Sequence, residues 1–162
     1  MYADDANIII TGMSVDEVYQ KLFNLSSEIL NWVNSNGLAI NLKKTKYMVF
    51  ARNQTIPNHE YKLANVLIER KTEARFLGVI IDEKLTWAKH IETVKSKMAR
   101  YLGVMYRIRT RIPIQPRLQI FHSFVQSHLN FCSIVWGFAA KSHIDSIFRK
   151  QKSGIRAAMG VI

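Results

Sequence analysis

The sequence predicts an α+β chain in which the two kinds of structure are segregated: a small antiparallel sheet with one helix, then an all-α bundle. Three observations carry this. Up to about residue 85 the apolar residues come in short runs bounded by turn formers, such as Val66-Leu67-Ile68 and Phe76-Leu77-Gly78-Val79-Ile80-Ile81. From Thr86 onward they recur every three or four positions instead. A single helical stripe, Ser14 to Ser35, interrupts the first part. Runs of strand followed by runs of helix are the signature of α+β architecture. The change of period divides the chain into segments 1–85 and 86–162.

The elements follow in order. Tyr2-Ala3-Asp4-Asp5 precedes the apolar run Ala6 to Ile10 and reads as the tight turn of a β-hairpin. Asp favours turns because its side chain bonds its own backbone. Ser14-Val15-Asp16-Glu17 is a capping box opening a helix. Val15, Val18, Leu22, Leu25, Ile29 and Trp32 form its expected buried stripe, and Asn36-Gly37 its stop. Leu38 to Asn41 and Tyr47 to Phe50 read as short extended segments around Lys43, Lys44 and Lys46. Residues 51–60 read as a loop. Val66–Ile68 and Phe76–Ile81 read as two strands, with Gly78 marking a bulge or a close backbone approach.

A long helix is expected from Thr86 to about Arg111, ended by Pro113 and Pro116. Its stripe is Trp87, Ile91, Val94, Met98, Tyr101, Met105 and Ile108. A second helix is expected over 116–129. A third is expected over 142–159, with Ile144, Ile147, Phe148, Ile155 and Ala158 inward and Arg149, Lys150, Lys152 and Arg156 outward.

Charge narrows the class of partner. The 162 residues are 48% hydrophobic, enough for a core, and carry a net charge of +11. Such a balance points to a polyanion, nucleic acid or an anionic membrane. Residues 1–42 hold one base against five acids, and residues 43–117 hold seventeen bases against six. Lys89, Lys95, Lys97, Arg100, Arg107, Arg109 and Arg111 give the long helix a basic face. That face is either a solvated surface or a nucleic-acid track, and the sign bias favours the track. A membrane-surface role is set aside, because the downstream helices need the same helix's apolar face for a core. The single cysteine, Cys132, excludes an intrachain disulfide and a Cys-rich zinc site. This fits a reduced intracellular compartment, nucleus or cytoplasm. The most apolar stretch, Phe131 to Ala140, is about half the length of a membrane span.

Adjacent carboxylates on a turn suit a hard cation such as magnesium, which takes one or two carboxylates plus substrate phosphates. Taken together, the segments resemble the C-terminal part of the reverse transcriptase of non-LTR retrotransposons of the jockey-like group, over essentially the whole chain. The carriers are Tyr2-Ala3-Asp4-Asp5, then Asn36-Gly37-Leu38-Ala39-Ile40-Asn41-Leu42-Lys43-Lys44-Thr45-Lys46. Next come Phe76-Leu77-Gly78-Val79 with Asp82 and Leu85-Thr86-Trp87. Phe131 to Gly137, and Gln151-Lys152 to Ile155-Arg156, complete the set. Their order and spacing, rather than any one of them, make the resemblance specific.

The resemblance implies a C-terminal palm fragment over 1–85 and a helical thumb over 86–162. It makes Asp4 a catalytic metal ligand, with Asp5 supporting it, for magnesium in the complete enzyme. Tyr2 would lie near the primer end or the incoming nucleotide. Lys44 would approach the triphosphate, or is a solvated loop lysine. Phe76, Leu77 and Gly78 would touch the primer backbone; for Phe76 and Leu77 the alternative is plain strand core. The partners implied are an RNA template, a DNA primer and a deoxynucleoside triphosphate. The fingers, the first half of the palm and its other essential Asp have no counterpart here, so the chain alone is expected to be inert as a polymerase. The alternative is a non-catalytic, basic nucleic-acid-binding module derived from such an enzyme.

Overall fold

A computed structural model describes residues 6–51, 56, 57 and 59–161. The chain forms two compact units, Met1–Glu73 and Ala74–Ile162.

In the first unit, helix α1 (Val15–Ser35) begins as its capping box dictates. Ser14 Oγ accepts from the Glu17 N–H at 3.1 Å, and the Glu17 carboxylate accepts from the Met13 N–H at 2.7 Å. The helix ends in a Schellman arrangement: Gly37 takes a φ of 64°, its N–H bonds Asn34 O, and the Leu38 N–H bonds Val33 O. Three short strands follow: β1 (Lys46–Tyr47), β2 (Tyr61–Leu63) and β3 (Val66–Arg70), in the order β1-β3-β2. β2 and β3 are antiparallel around an Ala64-Asn65 turn in which both residues have positive φ. β1 runs parallel to β3, pairing Lys46 with Glu69 and Tyr47 with Arg70. The sheet is therefore mixed rather than wholly antiparallel, because β1 reaches β3 through a long connection and not a hairpin.

The core of this unit is aromatic. Tyr19 is buried in α1 beside Val15 and Val49, and Tyr61, Leu63 and Ile68 form a second cluster with Leu22 and Leu30. Tyr47 packs against both clusters. Trp32, expected at the buried end of the α1 stripe, is 51% exposed. Leu30 turns to the sheet in its place. Leu38–Asn41 forms no strand, and Ile8–Ile10 pairs with no strand among the described residues.

A hairpin stands at the start of the second unit, β4 (Glu73–Phe76), whose first residue is the last of the first unit, and β5 (Val79–Asp82). The single strand expected over 76–81 is thus two strands. Leu77 (φ 44°) and Gly78 (φ 90°) make the tight turn between them, the positive-φ pair that a two-residue hairpin needs. The helices follow: α2 (Ala88–Ile108), α3 (Ile114–Ile120), a π-helical stretch (Phe121–Gln126), α4 (Ser127–Asn130), α5 (Ser133–Trp136) and the last helix, α6 (Lys141–Met159). One core joins them. Ile91, Val94, Met98, Leu102 and Met105 of α2 meet Phe121, Val125, Leu129, Trp136, Ile147, Ala157 and Ala158.

Gly154 allows the close approach of α6. A Cβ there would stand 2.8 Å from the Phe121 ring and 2.9 Å from Leu102. Phe148 and Ile155, expected inward, are 52% and 44% exposed. The small residues Gly154, Ala157 and Ala158 form the contact stripe instead, and they rotate the two larger side chains outward.

Candidate nucleic-acid interface

The junction between β5 and α2 fixes the geometry of the second unit's candidate site. Asp82 organises it. Its carboxylate accepts from the backbone N–H groups of Lys84, Thr86 and Trp87, at 3.2, 3.0 and 2.8 Å, and from the Thr86 hydroxyl at 3.1 Å. Partial burial works against its ionisation. The bonds from Thr86 and Trp87 outweigh that and hold the carboxyl below its usual range. Leu85 and Trp87 both adopt the left-handed conformation here, which a bulky residue takes only when its surroundings enforce it.

His90 is the second anchor. It is 4% exposed, and its Nδ1 accepts from the Ile80 N–H at 3.2 Å, tying the hairpin to α2. Its Nε2 is buried with no hydrogen-bond partner. Burial, with help from Lys97, pushes its pKa below the ordinary histidine value. An imidazole that accepts at Nδ1 must stay neutral for the bond to hold.

The hairpin tip is a surface, not core. Phe76 and Leu77 are 42% and 53% exposed. Gly78 has a neighbour within the protein: a Cβ on it would lie 3.1 Å from the Phe131 ring. The close approach that the sequence suggested at Gly78 is therefore met, at least on its Cβ side, by an aromatic side chain of the same unit.

The seven basic residues read from the sequence do not act as one face. At about 100° per residue, Lys89, Arg100 and Arg107 fall within about 20° of one another, opposite the α2 core stripe, and span about 27 Å of helix. Lys97 stands at the edge of this row. Lys89, Lys97 and Arg100 line a shallow depression with Glu92, Thr93 and Ser96. Lys95 points elsewhere, into a groove shared with Ser146, Arg149, Lys150 and Ser153 of α6. Arg109 is engaged within the unit: its guanidinium sits 5.5 Å from the Tyr106 ring centroid, and its carbonyl accepts from Arg117 Nη1 at 2.7 Å. Arg111 is exposed beyond the end of α2. Among the described residues none of Lys89, Lys95, Lys97, Arg100, Arg107 or Arg111 is in an ion pair. Sequence reading missed the association of Arg149 and Lys150 with Lys95. The outward basic side of the last helix was the available signal.

In the first unit, Lys44 lies on an exposed turn closed by Asn41. The Asn41 carbonyl and side chain accept from the Lys44 N–H, and the Thr45 N–H and hydroxyl bond the same carbonyl. Tyr2, Asp4 and Asp5 lie outside the described residues. Among the described residues no three His, Cys, Asp or Glu side chains are grouped to hold a metal ion.

Charge separates the units sharply. Residues 1–73 carry eight bases and eight acids, whereas residues 74–162 carry fifteen bases and four acids. The whole net charge of +11 therefore belongs to the helical unit. No helix among the described residues is long and apolar enough to cross a membrane.

Comparison with curated proteins gives the chain a context. The chain is 26% identical, over 98% of its length, to the RNA-directed DNA polymerase from mobile element jockey of Drosophila melanogaster. The chain is a homologue of non-LTR reverse transcriptases. It is also 21% identical over 98% of its length to the probable RNA-directed DNA polymerase from transposon X-element of that fly, and 21% identical over 96% to that from transposon BS. In each case the chain spans 18% of the length of the reverse transcriptase it matches. No protein-family model matches the chain. No solved structure matches it.

Proposed function

We propose that the chain is the C-terminal palm and thumb segment of an RNA-directed DNA polymerase of a non-LTR element, and that its helical unit holds the RNA–DNA template–primer duplex. The observation that carries this is the match over 98% of the chain to proteins named as RNA-directed DNA polymerases of mobile elements. The concentration of the net charge in residues 74–162 supports the duplex reading. A row of unpaired cations about 27 Å long can follow successive phosphates, and binding is driven by release of their counterions. The exposed tip Phe76-Leu77 is suited to a primer contact, since neither side chain is engaged in core. Palm and thumb meet near residue 86 in this reading. A non-catalytic nucleic-acid module is the second reading, favoured by the same charge partition.

Asp4 and Asp5 carry the proposed magnesium site of the complete enzyme, where the ion would supply charge stabilisation of phosphoryl transfer. The described residues do not themselves make a metal site. Such chemistry needs carboxylates converging from several elements on a rigid frame. The chain spans 18% of its relatives' length. The isolated 162 residues are therefore expected not to extend a primed RNA template with magnesium or manganese. Within a complete polymerase, Asp4→Asn is expected to abolish extension and Asp5→Asn to reduce it less. Extension by the isolated chain that depends on Asp4 overturns the inertness. Full activity of the Asp4→Asn polymerase overturns the assignment of the site.

A further inference from the structure

The flank of α2 carries an aromatic cluster that a duplex track does not use. The Tyr101 ring lies 5.1 Å from Phe124, inclined by 31°, and 5.7 Å from His128, inclined by 27°. Phe124 and His128 are four residues apart and so share one side of their helical run. Tyr101 therefore touches both rings, tilted against Phe124 and stacked with His128. The outer side of Phe124 is open: the residue is 47% exposed, although Phe121 and Val125 on either side of it are buried. The run is π-helical at this point, and such turns occur frequently at functional sites.

Cations stand beside the rings. Lys97 is one helical turn before Tyr101 on α2 and flanks it, while Arg100 stands about 100° round the helix from Tyr101, beyond Lys97. Burial disfavours the protonated form of His128, and the charges of Lys97 and Arg100 add to that effect. Neither is in an ion pair among the described residues. Aromatic faces interleaved with unpaired cations are what a single strand requires. Every base has a π-face, and the phosphate beside it needs a positive partner. Bases inside a duplex are already stacked and cannot offer that face.

We propose that Phe124, backed by Tyr101 and His128, is a stacking platform for an unpaired nucleobase, with Lys97 and Arg100 holding its phosphate. This rests on the nucleic-acid reading of the helical unit and adds a single strand to the duplex as its ligand.

The test uses the full chain and two probes: a short single-stranded oligonucleotide carrying one fluorescent purine analogue, and a blunt RNA–DNA duplex. The wild-type chain is expected to quench the purine and to bind both probes. Phe124→Ala is expected to lower single-strand affinity roughly ten-fold or more, abolish quenching and leave duplex affinity unchanged. Phe124→Trp restores both signals. If Phe124→Ala unfolds, Phe124→Leu decides the matter, since it keeps apolar bulk and loses the flat ring. Unchanged single-strand binding in these variants, or an equal loss on both probes, overturns the proposal. Duplex binding without single-strand binding by the wild type overturns it alone. Binding of neither probe overturns the duplex reading with it.

Discussion

His90 shows how much one side chain decides in this chain. With Nδ1 accepting from the Ile80 N–H, the neutral ring carries its proton on the unpartnered Nε2, and a second proton could enter only at Nδ1, at the cost of that bond. Burial lowers its pKa from 6.5, and His128 is lowered in the same direction. The unfolded chain takes up the proton near pH 6.5, and the folded imidazole resists it. Acidification below about 6.5 therefore favours unfolding, and stability is regained as the pH rises. Denaturation midpoints measured from pH 7.5 to 5.5 are expected to fall, and His90→Gln is expected to flatten that fall while lowering the midpoint at neutral pH. A slope unaltered by the substitution would place the linkage elsewhere. Asp82 acts in the same junction through four accepted hydrogen bonds. Its position near Leu85-Thr86-Trp87 was visible in the sequence, but its role as the organiser of the α2 start was not, because that role depends on two left-handed residues that no local pattern announces.

At the scale of elements, helices were legible and strand pairings were not. The capping box of α1, the stripe of α2 and most of α6 follow from local spacing, which the fold has little freedom to override. Errors arose where residues had to choose between two sides. Trp32, Phe148 and Ile155 fit an inward stripe by count, yet Leu30 and the small residues around Gly154 took those contacts. The parallel pairing of β1 with β3 joins residues more than twenty positions apart and has no local signature. The β4–β5 turn was hidden because Leu77-Gly78 sits inside an unbroken apolar run. That turn also yields a prediction. Leu77 holds a φ of 44°, which costs an L-residue about 1–2 kcal/mol, whereas Asn visits this region readily. Leu77 is 53% exposed, so its replacement sacrifices little burial. Leu77→Asn is expected to raise stability by up to about 1 kcal/mol, read as a higher urea midpoint at unchanged slope. A lower midpoint would mean that Leu77 packs in the fold rather than standing ready for a contact outside it.

For the whole molecule, the division of charge says more about function than the division of structure. The basic balance was read from composition, and the acidic start and basic middle were noted along the chain. Only the two compact units show that residues 1–73 are neutral and that the helical unit carries all of the excess. The seven candidate cations of the long helix then sort by direction: Lys89, Arg100 and Arg107 on one row, Lys97 beside the aromatic cluster, Lys95 in the groove with α6, Arg109 against Tyr106, and Arg111 exposed beyond the helix end. Sequence could supply the seven residues but not this sorting, which needs the core side of α2 to be known. The Asp4-Asp5 pair, the most informative motif in the sequence, lies outside the described residues.

The salt dependence of binding to an RNA–DNA duplex tests the central claim most directly. The logarithm of the association constant should fall linearly with the logarithm of salt concentration, by a slope near −0.9 for each phosphate neutralised on B-form DNA. Charge reversal at Lys97, Arg100 and Arg107 is expected to reduce the slope by roughly one for each phosphate no longer neutralised, and reversal of the exposed Lys62 in the neutral unit to leave it unchanged. A slope indifferent to the triple variant, or lowered equally by Lys62→Glu, would contradict a duplex track on α2.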